Sequence, residues 1–177
     1  SNLREMARQN YSTQASPQNS SIKFHFMPDN SAIITPIHAL DTYVVRHPVL
    51  RPGRPVETCA MGGDERPDTI HLGAFDRLSK QLVGVATLLV ENSPYFPELK
   101  GAQLRGMAVL QSHHRKGIGA QLVNALEKIA RERADQVIWM NARVSAQAFY
   151  TALGYQEIGP EFEIAPIGPH YVMYRNL

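Results

Sequence analysis

The stretch His114-Arg115-Lys116-Gly117-Ile118-Gly119-Ala120 decides how this chain is read, because it joins an apolar run, Leu104 to Leu110, to a long amphipathic pattern. Glycines at 117 and 119 let backbone N–H groups crowd an anion with no Cβ in the way. The helix that follows aims its positive N-terminal end at the same point. Arg115 and Lys116 add charge of the same sign. The stretch therefore reads as a diphosphate cradle at a strand-to-helix turn.

Working outward, the helix from Gly117 places Ile118, Leu122, Leu126, Ile129 and Ala130 on one face. Val137 to Met140 is a continuous apolar run, the pattern of a strand covered on both faces. Strand, helix and strand from Leu104 to Met140 predict a right-handed parallel crossover. Ser145 is expected to cap a short helix with Ala146, Phe149, Tyr150 and Leu153 inward and Gly154 as its left-handed stop. Tyr155 to Ile158, continuing to Ile164, and Tyr171 to Tyr174 supply two closing strands.

Upstream, Thr69 to Phe75 and Leu82 to Val90 read as an antiparallel hairpin. Val49 to Asp68 carries Pro52-Gly53, Pro55, Gly62-Gly63 and Pro67, loop chemistry of a length often used for binding. Thr35-Pro36 has the form of a helix start, with Ile37, Leu40, Tyr43 and Val44 on one face and an end near Pro48. Ile22, Phe24 and Phe26 alternate as in a half-buried strand, and Ser1 to Ser20 is polar and expected to lie outside the fold. The expected class is α/β: one domain over residues 21–177, with a mixed, mostly antiparallel twisted sheet flanked by helices.

Composition narrows the function. At 177 residues one domain is the default, and 18 basic against 16 acidic residues gives no basis for a nucleic-acid binder. The lone Cys59 excludes an internal disulfide and a cysteine metal cluster and fits a reducing, cytoplasmic setting. No apolar run reaches the ~18–20 residues of a membrane span. His113 beside His114 comes without the further ligands of a zinc site, so no metal is expected. A P-loop needs Gly, four residues and Gly-Lys-Ser/Thr, which is absent; a Rossmann turn would want glycine at position 122, which is Leu122.

The second half as a whole is more specific. Leu104-Arg105-Gly106-Met107-Ala108-Val109, His114 to Ala120, Asn141-Ala142-Arg143 and Ala148-Phe149-Tyr150-Thr151-Ala152-Leu153-Gly154-Tyr155 together resemble the GNAT superfamily of N-acetyltransferases. The likeness covers Ile22 to Leu177 in element order. The tail, Phe162-Glu163 with Ile167-Gly168-Pro169-His170 and Met173, resembles a little-characterised branch of small bacterial acetyltransferases.

The resemblance implies the acyl-CoA N-acyltransferase (GNAT) fold and acetyl-CoA as cosubstrate, with a primary amine of a small molecule or peptide as acceptor. It implies direct attack in a ternary complex, and it allows a homodimer. In that family the turn reads Gln/Arg-x-x-Gly-x-Gly/Ala, and its amides bind the pyrophosphate. Here His114, Arg115, Lys116, Gly117, Ile118, Gly119 and Ala120 take that place, with His114 departing from the first position. Met107, Ala108 and Val109 would lie alongside the pantetheine arm, and Asn141 would line the cofactor site or cap its strand.

Tyr150 stands where the family places the acid that protonates the departing thiolate, its other role being that of a core aromatic beside Phe149. Phe149 itself would pack on the pantetheine or the core. Glu163 and His170 border the acceptor pocket of the resembled family as candidate proton relays, and Arg105, with Asp64 and Arg51, is a further acceptor-side candidate. Two other classes stay open at this stage: a non-catalytic CoA-binding sensor on the same fold, and a nucleotide-binding oxidoreductase.

Overall fold

The computed structural model describes residues 32–177, so the expected strand at Ile22 to Phe26 and the segment Ser1 to Ser20 lie outside the described residues. Seven strands form one sheet: β1 (Ile33–Pro36), β2 (Ile70–Phe75), β3 (Leu82–Val90), β4 (Gly101–Val109), β5 (Val137–Arg143), β6 (Gln156–Ile164) and β7 (Gly168–Asn176). Their spatial order is β1-β2-β3-β4-β5-β7-β6, and every pairing is antiparallel except β4 with β5. Among the described residues three helices flank the sheet: α1 (Tyr43–Leu50), α2 (Ile118–Glu132) and α3 (Gln147–Ala152). The mixed, mostly antiparallel sheet and the parallel β4-α2-β5 unit follow the reading of the sequence.

Central strands are apolar on both faces because helices cover both. On one face Gly84, Ala86 and Leu88 of β3 meet α2 through Ile118 and Leu122. On the other, Val85 packs with Val45 of α1 and Ala108 of β4. Burying α2's stripe of Leu122, Val123, Leu126 and Ala130 contributes roughly 1.5–3 kcal/mol for each large side chain.

The first helix departs from expectation. Thr35-Pro36 ends the edge strand β1, where a residue without an N–H is tolerated, instead of opening a helix. A 3-10 turn at Ala39–Thr42 leads into α1, and Pro48 sits inside that helix. Leu40 and Val44 of the expected apolar face are exposed, whereas Thr42, Val45 and Arg46 are buried. The α3 region also differs. Ser145 lies within a 3-10 turn, Val144–Ala146, and makes no cap bond, while Phe149 is half-exposed beside the buried Tyr150.

Candidate active site

The site begins where β4 and β5 part. They pair only through Gly101–Gln103 and Val137–Trp139, yet β4 runs on to Val109 and β5 to Arg143. A cleft of about 480 Å³ opens beyond the last pair. Leu104 to Met107 form one wall, Met140, Asn141 and Arg143 the other, and α3 contributes Phe149 and Tyr150. The edge of β4 facing this cleft has lost its neighbouring strand, so its backbone can pair with an extended ligand.

A bulge shapes that edge. Val85 pairs with Ala108 and Thr87 with Arg105, which leaves Gly106 and Met107 opposite the single residue Ala86. One extra residue reverses the alternation of the strand. Ala102 and Leu104 accordingly join the core beneath α2, and Ala108 joins the cluster beneath α1. Gly106 has φ +59, and a Cβ there would lie 2.9 Å from both Nε and Nη2 of Arg46. Glycine is required both by the left-handed backbone and by this close approach.

Arg46 is the residue that local sequence patterns miss. It is fully buried in α1, against the expectation of a surface arginine. Its Nη1 donates to Asp64 Oδ2 at 2.6 Å and to the Cys59 carbonyl at 3.0 Å, and its Nη2 donates to Thr87 Oγ1 at 2.9 Å. Asp64 also accepts from Arg105 Nη2 at 2.9 Å and from the Met61 N–H at 3.1 Å. Burial works to raise the Asp64 carboxyl pKa, but hydrogen bonds and charge from Arg46, with further bonds from Arg105 and Met61, outweigh it and hold it below its ordinary value. One carboxylate thus pins α1, the long loop and the bulged strand.

At the far end of β4, Gly117 takes φ +76 and caps α2 with no side-chain acceptor, and Arg115 is also left-handed at φ +61. The amides of Ile118, Gly119 and Ala120 precede the first bond of the helix, Gln121 N–H to the Gly117 carbonyl at 3.0 Å. No acidic side chain lies in the first turn of α2. His114 Nε2 donates to the Val109 carbonyl at 2.8 Å, tying the turn to the end of β4. A Cβ on Gly119 would stand 3.0 Å from the Phe149 ring, so the turn and the wall of the cleft are in contact.

Tyr150 is 4% exposed yet lines the cleft, and its hydroxyl makes no hydrogen bond to another described residue. Its ring stands edge-on between Phe149, with centroids 5.0 Å apart, and Tyr155, at 5.7 Å. Tyr155 is in turn held by Glu127 of α2 at 2.9 Å. Burial raises the Tyr150 phenol well above its ordinary range, so the proton stays on at neutral pH. Across the cleft His170 is buried, with Nδ1 2.7 Å from the Gly168 carbonyl. A carbonyl only accepts, so Nδ1 carries the hydrogen, and Nε2 is an open lone pair in the neutral ring.

Of the residues singled out from sequence, the cleft gathers Arg105, Met107, His114, Asn141, Phe149, Tyr150 and His170, together with Arg51. Ala108 and Val109 continue β4 behind it, and Arg115 to Ala120 form the adjoining turn. Glu163 is exposed and is not brought to the cleft; it neighbours Phe162, which pairs with His170, so it points to the other face of the sheet. Asp64 lies behind the wall and holds two residues that line the cleft, Arg105 and Met61. His113 bonds Asp76 at 3.1 Å, and no group of three or more metal-ligating side chains occurs among the described residues.

Residues 39–155 match the sequence model of the Acetyltransferase (GNAT) family. The chain belongs to that family. Among GNAT relatives, an uncharacterized N-acetyltransferase of Bacillus subtilis, YitI, is 35% identical over 137 residues, covering 77% of this chain and 91% of YitI. The GNAT fold is shared with an aminoglycoside 6'-N-acetyltransferase crystallised with coenzyme A, at 19% identity and a TM-score of 0.64, covering 81% of this chain and 96% of that one. Escherichia coli ElaA has the same fold at 21% identity and a TM-score of 0.61, covering 81% of this chain and 99% of ElaA.

Proposed function

We propose that this GNAT enzyme transfers the acetyl group of acetyl-CoA to a primary amine of a small molecule or peptide, by direct attack with both substrates bound. The observation that carries the reading is the parting of β4 and β5 over Tyr150, next to the uncapped N-terminus of α2. The residues fit the donor. Open amides at 117–120, with Arg115 and Lys116, suit a pyrophosphate. The unpaired edge of β4 suits the pantetheine arm, with Phe149 as its apolar floor and Asn141 facing it from β5.

Each chemical need then has a group. A backbone N–H of Met107 to Val109, aimed by the bulge, polarises the thioester carbonyl. The amine nitrogen forms its bond to that carbon as the C–S bond breaks, and the electron pair leaves on sulfur. Tyr150 donates its hydroxyl hydrogen to the sulfur. A thiol of pKa ~8.5 in water is a weaker base than a buried phenolate, but the same desolvation that raises Tyr150 raises the thiolate as well, so the transfer follows the developing charge. The proton lost by the amine goes to Nε2 of His170, directly or through water.

Among the sequence candidates for this relay, His170 is favoured over Glu163 by its place in the cleft. Residues 21–177 act as one domain in this reading. Calorimetry tests the donor assignment: acetyl-CoA is expected to bind at least about tenfold more tightly than NAD. The reverse order would remove the assignment and return the oxidoreductase reading.

A further inference from the structure

The proposed acceptor amine would meet an unusual charge balance at the α1 end of the cleft. Arg51 and Arg143 both line it, and both donate to the same carbonyl, that of Leu50 at the C-terminal end of α1, at 3.0 and 3.1 Å. Arg51 also donates to the Thr58 carbonyl at 3.2 Å. Neither has a carboxylate partner among the described residues. Among the described residues no Asp or Glu lines the cleft. Asp64, behind the wall, is already engaged by Arg46 and Arg105.

Two guanidiniums are therefore held together on one oxygen without a counter-charge. Burial first, and then the neighbouring arginines, depress both: Arg143 by Arg51, and Arg51 by Arg54 and Arg46. The C-terminal carbonyls of α1 offset part of this repulsion through the helix dipole. The rest is what a planar or tetrahedral oxyanion would neutralise, with forked donors suited to bidentate contact. A polycationic amine would be repelled.

Resting on the acetyltransferase reading, we infer that the acceptor is an amine carrying an oxyanion, carboxylate or phosphate, and that Arg51 and Arg143 seat that oxyanion. The turn that would hold the diphosphate of the donor is built by other residues, Arg115 to Ala120, none of which lines the cleft beside Arg51 and Arg143.

The subsite can be read without knowing the acceptor, by titrating succinate and inorganic phosphate calorimetrically into enzyme saturated with CoA. At least one dianion is expected to bind, and its affinity to fall about tenfold or more in Arg143→Gln and Arg51→Gln while CoA affinity shifts less than about twofold. Arg143→Lys, which keeps the charge but not the fork, should fall between. The two dianions separate a carboxylate-reading site from a phosphate-reading one. Binding of neither by the wild type, or binding indifferent to Arg143→Gln, overturns the inference. The CoA titration that precedes it fails separately if the donor reading is wrong.

Discussion

Asp64→Asn isolates the contact on which the wall of the cleft rests. Asp64 is 7% exposed and Arg46 is 0% exposed, so removing the carboxylate charge leaves a guanidinium with no route to water. Asparagine keeps the size and one acceptor oxygen, but its NH2 must then face either Arg46 or Arg105, which are themselves donors only. Breaking a buried pair by neutralising one partner costs about 3–5 kcal/mol. For a chain of this size that corresponds to a fall in Tm of about 6–20 °C. The single tryptophan, Trp139, is buried in β5 with its indole N–H on the Glu91 carbonyl at 2.9 Å, and its fluorescence reports urea unfolding.

The double variant Arg46→Met/Asp64→Asn removes both the stranded cation and the mismatch, so it should lose less stability than Asp64→Asn alone. The acid side follows the same contact. Because folding depresses the Asp64 pKa, its stabilisation is complete above the unfolded value of about 3.9 and disappears as pH falls through the lower folded value. Asp64→Asn should therefore flatten the loss of stability below about pH 4. An Asp64→Asn enzyme within about 1 kcal/mol of wild type would refute the reasoning, since it would mean that Arg46 needs no counter-ion.

Tyr150→Phe should lower kcat by about 10²–10⁴-fold with acetyl-CoA affinity and melting unchanged, because its hydroxyl has no hydrogen bond to another described residue to lose; stopped-flow thiol release and calorimetry check both halves. Gly117→Val and Gly119→Val should each lose acetyl-CoA binding while the far-UV spectrum stays native, the first through left-handed strain of about 1–2 kcal/mol that shifts the open amides, the second by driving the Phe149 ring from the turn. Normal binding by both would show that the turn is not the cradle. His170→Gln should slow turnover without changing the Kd of acetyl-CoA, and an unaltered kcat would take His170 out of the proton path.

How much of this was legible in the sequence depends on the range of the forces involved. The hairpin β2-β3, the helix α2 and the strand β5 announce themselves because each buries a face at its own period within a few residues. The glycine turn is legible for the same reason, since its requirement is local. Arg46 was invisible because its partners, Asp64 and Thr87, are 18 and 41 residues away and no local pattern predicts a buried cation. Pro36 misled because proline suits both a first helical turn and the end of an edge strand, and only pairing with Leu72 decides between them. Glu163 was misplaced because only the pairing of Phe162 with His170, and so of Glu163 with Pro169, decides which face of the hairpin each takes. The charge of the acceptor end, set by Arg51 and Arg143 meeting on one carbonyl, arises from elements 92 residues apart in sequence and had no sequence signature beyond Arg51 being a conceivable contact.

Transfer itself is tested most directly by a panel of amines, each offered to wild type and to Tyr150→Phe with acetyl-CoA in excess, with release of the CoA thiol followed in time. The structure predicts amine-dependent release by the wild type, fastest for amines that bear an oxyanion, and its near loss in Tyr150→Phe. Tight acetyl-CoA binding with no amine accelerating release would contradict it and leave a CoA-binding sensor on the GNAT fold.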